Sequence, residues 1–134
     1  MSCIKWCIRA SMVLLIAGLG LVFRSSDSRA QKIPGGPEAS PDIYHVLADN
    51  EQMRVVHIIW PPGARDNWHG HPATSVYYET DCHVRAFFPD GSQRDLQRKA
   101  GTGRVRSRPV IKHSIQNIGG KECRMIHTEI KSEN

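Results

Sequence analysis

Histidines are the residues whose spacing invites chemistry. Seven stand at positions 45, 57, 69, 71, 83, 113 and 127. The informative pair is His69-Gly70-His71. In an extended segment alternate side chains share a face, so these two imidazoles converge. Neutral imidazole nitrogen is a preferred ligand of divalent transition metals. A His-x-His pair alone is weak evidence for a metal and more readily read as two polar residues held by hydrogen bonds. His57 alternates with Val55 and Ile59 and reads as a core or cavity residue. His127 shares a face with Met125 and Glu129, while His45 and His83 have no partner by spacing. Ser75, Tyr77 and Glu79 lie on one face if no bulge intervenes, which makes them, with His57, candidate pocket-lining residues. No Ser-His-Asp or Cys-His motif offers another chemistry. Gly101-x-Gly103 lacks the following helix of a phosphate-binding loop.

A third histidine has a patterned setting. Gly63 stands six positions before His69, and Arg108-Pro109-Val110-Ile111-Lys112-His113 places a histidine after a proline turn and four residues before Asn117. These two segments resemble the two motifs of the cupin superfamily, over roughly Met53 to Lys131. Gly63, His69 and His71 match the first motif, and His113 with Asn117 the closing half of the second. Among cupins the chain resembles the short single-domain members grouped with a β-alanine degradation protein. The resemblance implies an all-β, single-domain double-stranded β-helix (a jelly-roll, RmlC-like barrel), with His69, His71 and His113 facing inward as metal ligands. It departs from the family in one respect: the first-motif glutamate should fall at Ser75 or Val76, and neither is a carboxylate. Glu79 lies four residues past Ser75, about 13 Å along a strand rising ~3.3 Å per residue, too far to replace it. Three imidazoles with open positions accept Fe, Zn, Mn, Ni or Cu.

The elements that must position these residues read as strands. Met53 to Trp60 is rich in β-branched and aromatic residues and is stopped by Pro61-Pro62-Gly63. Asn67 to His71 is a short extended piece broken by Pro72, and Ser75 to Phe88 a long β-like run closed by Pro89-Asp90-Gly91. Gln93 to Lys99, Val105 to Ile118 with a bend at Pro109, and Cys123 to Ile130 complete the set. Residues 31–43 carry Pro34-Gly35-Gly36-Pro37 and Pro41 and read as a linker or irregular arm before a domain at 44–131. No window after residue 30 keeps a 3.6-residue apolar period, which excludes a helical domain.

Residues 1–30 read as a secretory signal: Lys5 and Arg9, an apolar stretch from Ala10 to Phe23, then Ser28-Arg29-Ala30 as a small-x-small cleavage site. Fourteen apolar residues fall short of the roughly 20 a membrane span needs, so membrane attachment would come only through an uncleaved signal. The expected location is periplasmic or secreted. The net charge of +5 misleads, since the first thirty residues hold four basic side chains against one acidic and leave +2 for the rest. That balance, and a basic run (Arg98, Lys99, Arg104, Arg106, Arg108) without interleaved aromatics, argues against a nucleic-acid partner. The run reads as a solvated strand or loop. Beyond the signal, Cys82 and Cys123 are either a disulfide of an exported protein or two buried thiols.

Three functions fit. The first is a metal-dependent enzyme acting on a small oxygen-bearing molecule, as cupin dioxygenases and isomerases do, with Tyr77 or Glu79 as acid–base helpers. The second is a module that binds a small ligand or metal without turnover. The third is a structural domain without metal that forms a homodimer.

Overall fold

A computed structural model of the chain describes residues 32–131; the expected signal peptide lies outside the described residues. The segment begins with a one-turn helix α1 (Gly36–Ala39) carrying proline in its first turn, where the missing N–H costs nothing. Nine strands follow: β1 (Tyr44–Asp49), β2 (Met53–Trp60), β3 (His69–His71), β4 (Ala73–Tyr78), β5 (Cys82–Phe87), β6 (Gln93–Arg98), β7 (Gly103–Arg106), β8 (Val110–Asn117) and β9 (Cys123–Ile130).

The strands form two antiparallel sheets, one ordered β1-β2-β9-β4-β7 and the other β3-β8-β5-β6. This is the all-β jelly roll that the motif resemblance implies. Side-chain alternation sets the inner faces. Val56, Ile58 and Trp60 of β2 and Met125 of β9 are buried from the first sheet, and Val84, Ala86 and Ile115 from the second. Each such aliphatic side chain removed from water contributes about 1.5–3 kcal/mol. Pro109 divides the long run predicted over residues 105–118 into β7 and β8, because proline cannot donate to the ladder. Likewise Glu79-Thr80-Asp81 divides the run over residues 75–88 into β4 and β5.

Two cross-links brace the sheets. Cys82 of β5 and Cys123 of β9 are joined by a disulfide, with Cα atoms 4.9 Å apart. That decides the open alternative of free thiols. Asn117, fully buried, donates from Nδ2 to the carbonyls of Trp60 and Lys121 and accepts from the Gly119 N–H. Its position in the second motif is thus a brace between β8 and the ends of β2 and β9.

The proline- and glycine-rich segment expected as a linker or arm is packed against the domain. The Gly70 N–H donates to the Pro34 carbonyl, Asn67 N–H to the Ser40 hydroxyl, and Asn67 Nδ2 to the Ala39 carbonyl. Gly36 lies under the Tyr44 ring, where a Cβ would come within 2.5 Å of two ring carbons. Composition alone signals irregular backbone; it does not reveal that the irregular backbone is satisfied by the neighbouring β3 segment.

Candidate metal centre

Gly70 explains how two adjacent-but-one histidines enter the same interior. β3 runs beside β8, with His69 opposite His113 and His71 opposite Val110, so the register slips by one residue between them. A Cβ on Gly70 would stand 2.7 Å from the Ile111 carbonyl oxygen and 2.9 Å from that of Val110. Only glycine allows this approach. His69 is fully buried, and His71 and His113 nearly so. Their Nε2 atoms converge: His69 to His71 at 2.9 Å and His69 to His113 at 3.1 Å.

The outer nitrogens settle the tautomers of two rings. His69 Nδ1 lies 2.8 Å from the Asn67 carbonyl, and His71 Nδ1 lies 2.9 Å from a Glu129 carboxylate oxygen. Both partners accept, so each Nδ1 carries a proton and each ring turns its Nε2 inward. A proton on one of them, or a metal ion held between them, accommodates two ring nitrogens at 2.9 Å. Burial, and then the charge of His71, pulls His69 down to about 4, against the opposing Asn67 carbonyl. Burial, with His69 and His71 beside it, pulls His113 to about 2. Neither is protonated at neutral pH, so each can offer a ring-nitrogen lone pair to a metal ion.

Four further residues complete the surroundings, and the sequence reading, which placed His127 and Glu129 on one face, gave none of the four a role at the site. Glu129, buried in the central strand β9, orients His71 through Nδ1. Its second oxygen lies 3.8 Å from Arg54 Nε, which offsets the buried charge. His127, two residues before it, stands with its Nδ1 buried and without a hydrogen-bond partner among the described residues. His71, His127 and Glu129 form a second group whose ligand atoms lie within 4.8 Å of one another. Because His71 gives its Nδ1 to Glu129 and its Nε2 to the triad, Glu129 acts as the supporting carboxylate of that ring. The His127-x-Glu129 spacing was the available signal, the same alternation that exposes His69 and His71.

Tyr44 and Asp66 lie on the other side. The Tyr44 hydroxyl donates to Asp66 at 2.7 Å and lies 3.0 Å from His69 Nε2. Burial, reinforced by the Asp66 carboxylate, holds the phenol well above its ordinary value, so it stays a donor. Burial pushes Asp66 up to about 6, opposed by the N–H of Ile115 and the Tyr44 hydroxyl.

The predicted pocket lining is corrected. Tyr77 is half exposed, Ser75 and Glu79 face solvent, and His57 pairs with Glu79 at 2.7 Å outside the barrel. The residues of β4 that line the cavity are Thr74, Val76 and Tyr78. The reason is a change of parity. β3 and β4 belong to different sheets, and the chain crosses between them at Pro72, so the inward set passes from odd to even numbers. On β2 the inward set is Val56, Ile58 and Trp60, which puts His57 outside. The basic run is corrected in part: Arg98, Arg104 and Arg106 line the same cavity as His71, His113 and His127.

No protein-family model matches the sequence, and no curated protein does. Solved structures do. A cupin domain from Bordetella pertussis is 28% identical with a TM-score of 0.61, over 75% of this chain and 98% of that one. The chain belongs to the cupin superfamily. Two other cupin-fold structures agree in fold. A double-stranded β-helix protein from Klebsiella pneumoniae is 20% identical (TM-score 0.53, 66% of this chain and 75% of that one). An RmlC-like cupin from Methanocaldococcus jannaschii is 18% identical (TM-score 0.52, 66% and 78%). In this cupin the interior therefore holds three convergent histidines without the first-motif glutamate.

Proposed function

We propose that this cupin is an exported protein that holds one divalent metal ion at His69, His71 and His113 and presents it to a small molecule in the barrel cavity. The observation that carries the reading is the convergence of three buried Nε2 atoms, His69 to His71 at 2.9 Å and His69 to His113 at 3.1 Å, with an acceptor behind two of the rings. A bound ion would supply Lewis acidity toward an oxygen-bearing ligand or a bound water. The chain's own residues do the rest. Glu129 and the Asn67 carbonyl keep two rings in the ligating tautomer, while Tyr44, its hydroxyl turned to Asp66, brings a phenol oxygen against the triad. Apolar walls limit water at the centre. The Cys82–Cys123 disulfide supports export, because such bonds persist in oxidising compartments.

Metal content after purification and chelator-limited reloading tests this. Wild type is expected to hold one equivalent, and His71→Ala and His113→Ala to hold far less. Equal metal in all three overturns the proposal. With metal present, oxygen uptake and product analysis across small phenols, thiols and carboxylates separate a catalyst from a carrier. The carrier reading is favoured by one observation, the missing first-motif carboxylate ligand.

A further inference from the structure

Three arginines line the cavity from two of the four strands that end the sheets. β6 pairs only with β5 and β7 only with β4, so each is an edge. Arg98 ends β6; Arg104 and Arg106, two apart on β7, stand opposite Val76 and Thr74 and share their inward face. All three line the cavity together with His71, His113 and His127. The remainder of the wall is largely apolar, including Val84, Leu96, Val110, Ile115 and Met125.

None of the three is neutralised. Arg54, Arg85 and Arg124 each have a carboxylate within 4 Å, whereas Arg98, Arg104 and Arg106 have none among the described residues. Arg98 donates only to the neighbouring Gln97 carbonyl. Burial, and the charges of Arg104 and Arg98, press the Arg106 guanidinium below its ordinary value. Arg98 and Arg106 are half-buried and Arg104 exposed, so the three guanidiniums present an unbalanced positive charge at the cavity that an anion would offset. A guanidinium offers parallel donors that match the two oxygens of a carboxylate. The cavity volume, about 80 Å³, is roughly half that of an apolar cavity that takes benzene. The enclosed part of a ligand is therefore a few heavy atoms.

We infer that the cavity takes a short carboxylic acid, its carboxylate held by Arg104 and Arg106 with Arg98 beside them, and its small apolar body directed toward His71 and His113. This names the ligand class of the site proposed above and rests on that cavity, but the arginine contact itself needs no metal.

Calorimetric titration of the full chain, metal-free and then metal-loaded, tests it with butyrate, butanamide and inorganic phosphate at fixed salt. Butyrate is expected to bind metal-free protein at least about tenfold tighter than its neutral amide. Arg106→Gln and Arg104→Gln should each lose about tenfold, the scale of a hydrogen bond to a charged group. Arg106→Lys should lose less, and Arg108→Gln, outside the cavity, nothing. Equal binding of acid and amide overturns the inference, as does an equal loss in Arg108→Gln, which would mark a diffuse field. Phosphate binding tighter than butyrate through the same arginines overturns the carboxylate class. Self-association of the glutamine variants with unchanged butyrate binding overturns it too, since the arginines would then only blunt a sheet edge. Metal bound at the three histidines without any butyrate response defeats this inference alone. Butyrate binding without metal uptake defeats only the metal centre.

Discussion

At the scale of single residues, the proposed centre depends on groups behind the three histidines as much as on the histidines. Glu129 is buried, accepts from His71 Nδ1 and is balanced by Arg54. Glu129→Gln keeps the shape and an acceptor but loses the negative charge behind the ring. Metal affinity should fall about 10- to 100-fold, the range for supporting partners of a ligating histidine, as read by competition with a chelator of known affinity. The folded domain should keep its circular dichroism spectrum. Glycine at position 70 is a residue-scale requirement of another kind. It lets the chain place His69 and His71 inward in succession while the β8 carbonyls occupy the space a Cβ would need.

At the scale of elements, the strands follow local chemistry closely. The runs Met53 to Trp60 and Cys123 to Ile130 coincide with β2 and β9, because each is a β-branched, alternating stretch bounded by turn residues. His69, His71 and His113 were legible as a group because a motif fixes their separation across two strands. Facing on β4 was not legible: the parity change at Pro72 depends on which sheet each flanking strand joins. Nor was the role of Arg104 and Arg106, since alternation in a polar edge strand looks like solvated charge until the partner strand is known. Pairing of the two cysteines required the distance between β5 and β9. That disulfide closes a separation of 41 residues. The double variant Cys82→Ser, Cys123→Ser should lose about 4 kcal/mol of unfolding free energy by the loop-closure argument. Denaturant titration with and without reductant checks this: wild type in reductant should approach the double variant.

At the scale of the whole molecule, the buried histidines set an acid limit. His69 at about 4, His113 at about 2 and His127 well below its ordinary value all have folded pKa values beneath the unfolded value. Between roughly pH 4 and 6.5 the unfolded chain binds more protons at these rings, so stability rises with pH. Asp66, raised to about 6, works in the opposite direction over about pH 4 to 6, as one group against three. The metal-free chain should therefore lose urea resistance as pH falls from 7.5 to 5, and the loss should be absent if the rings titrated normally. The packed segment before β1 carries a consequence for maturation. Pro34, Ala39 and Ser40 hold the backbone around His69 from behind, and Gly36 seats Tyr44. A protease that trims this chain must stop ahead of Pro34. A cut within Gly35-Gly36-Pro37 would leave every proposed ligand in place and yet release the clamp that aims them.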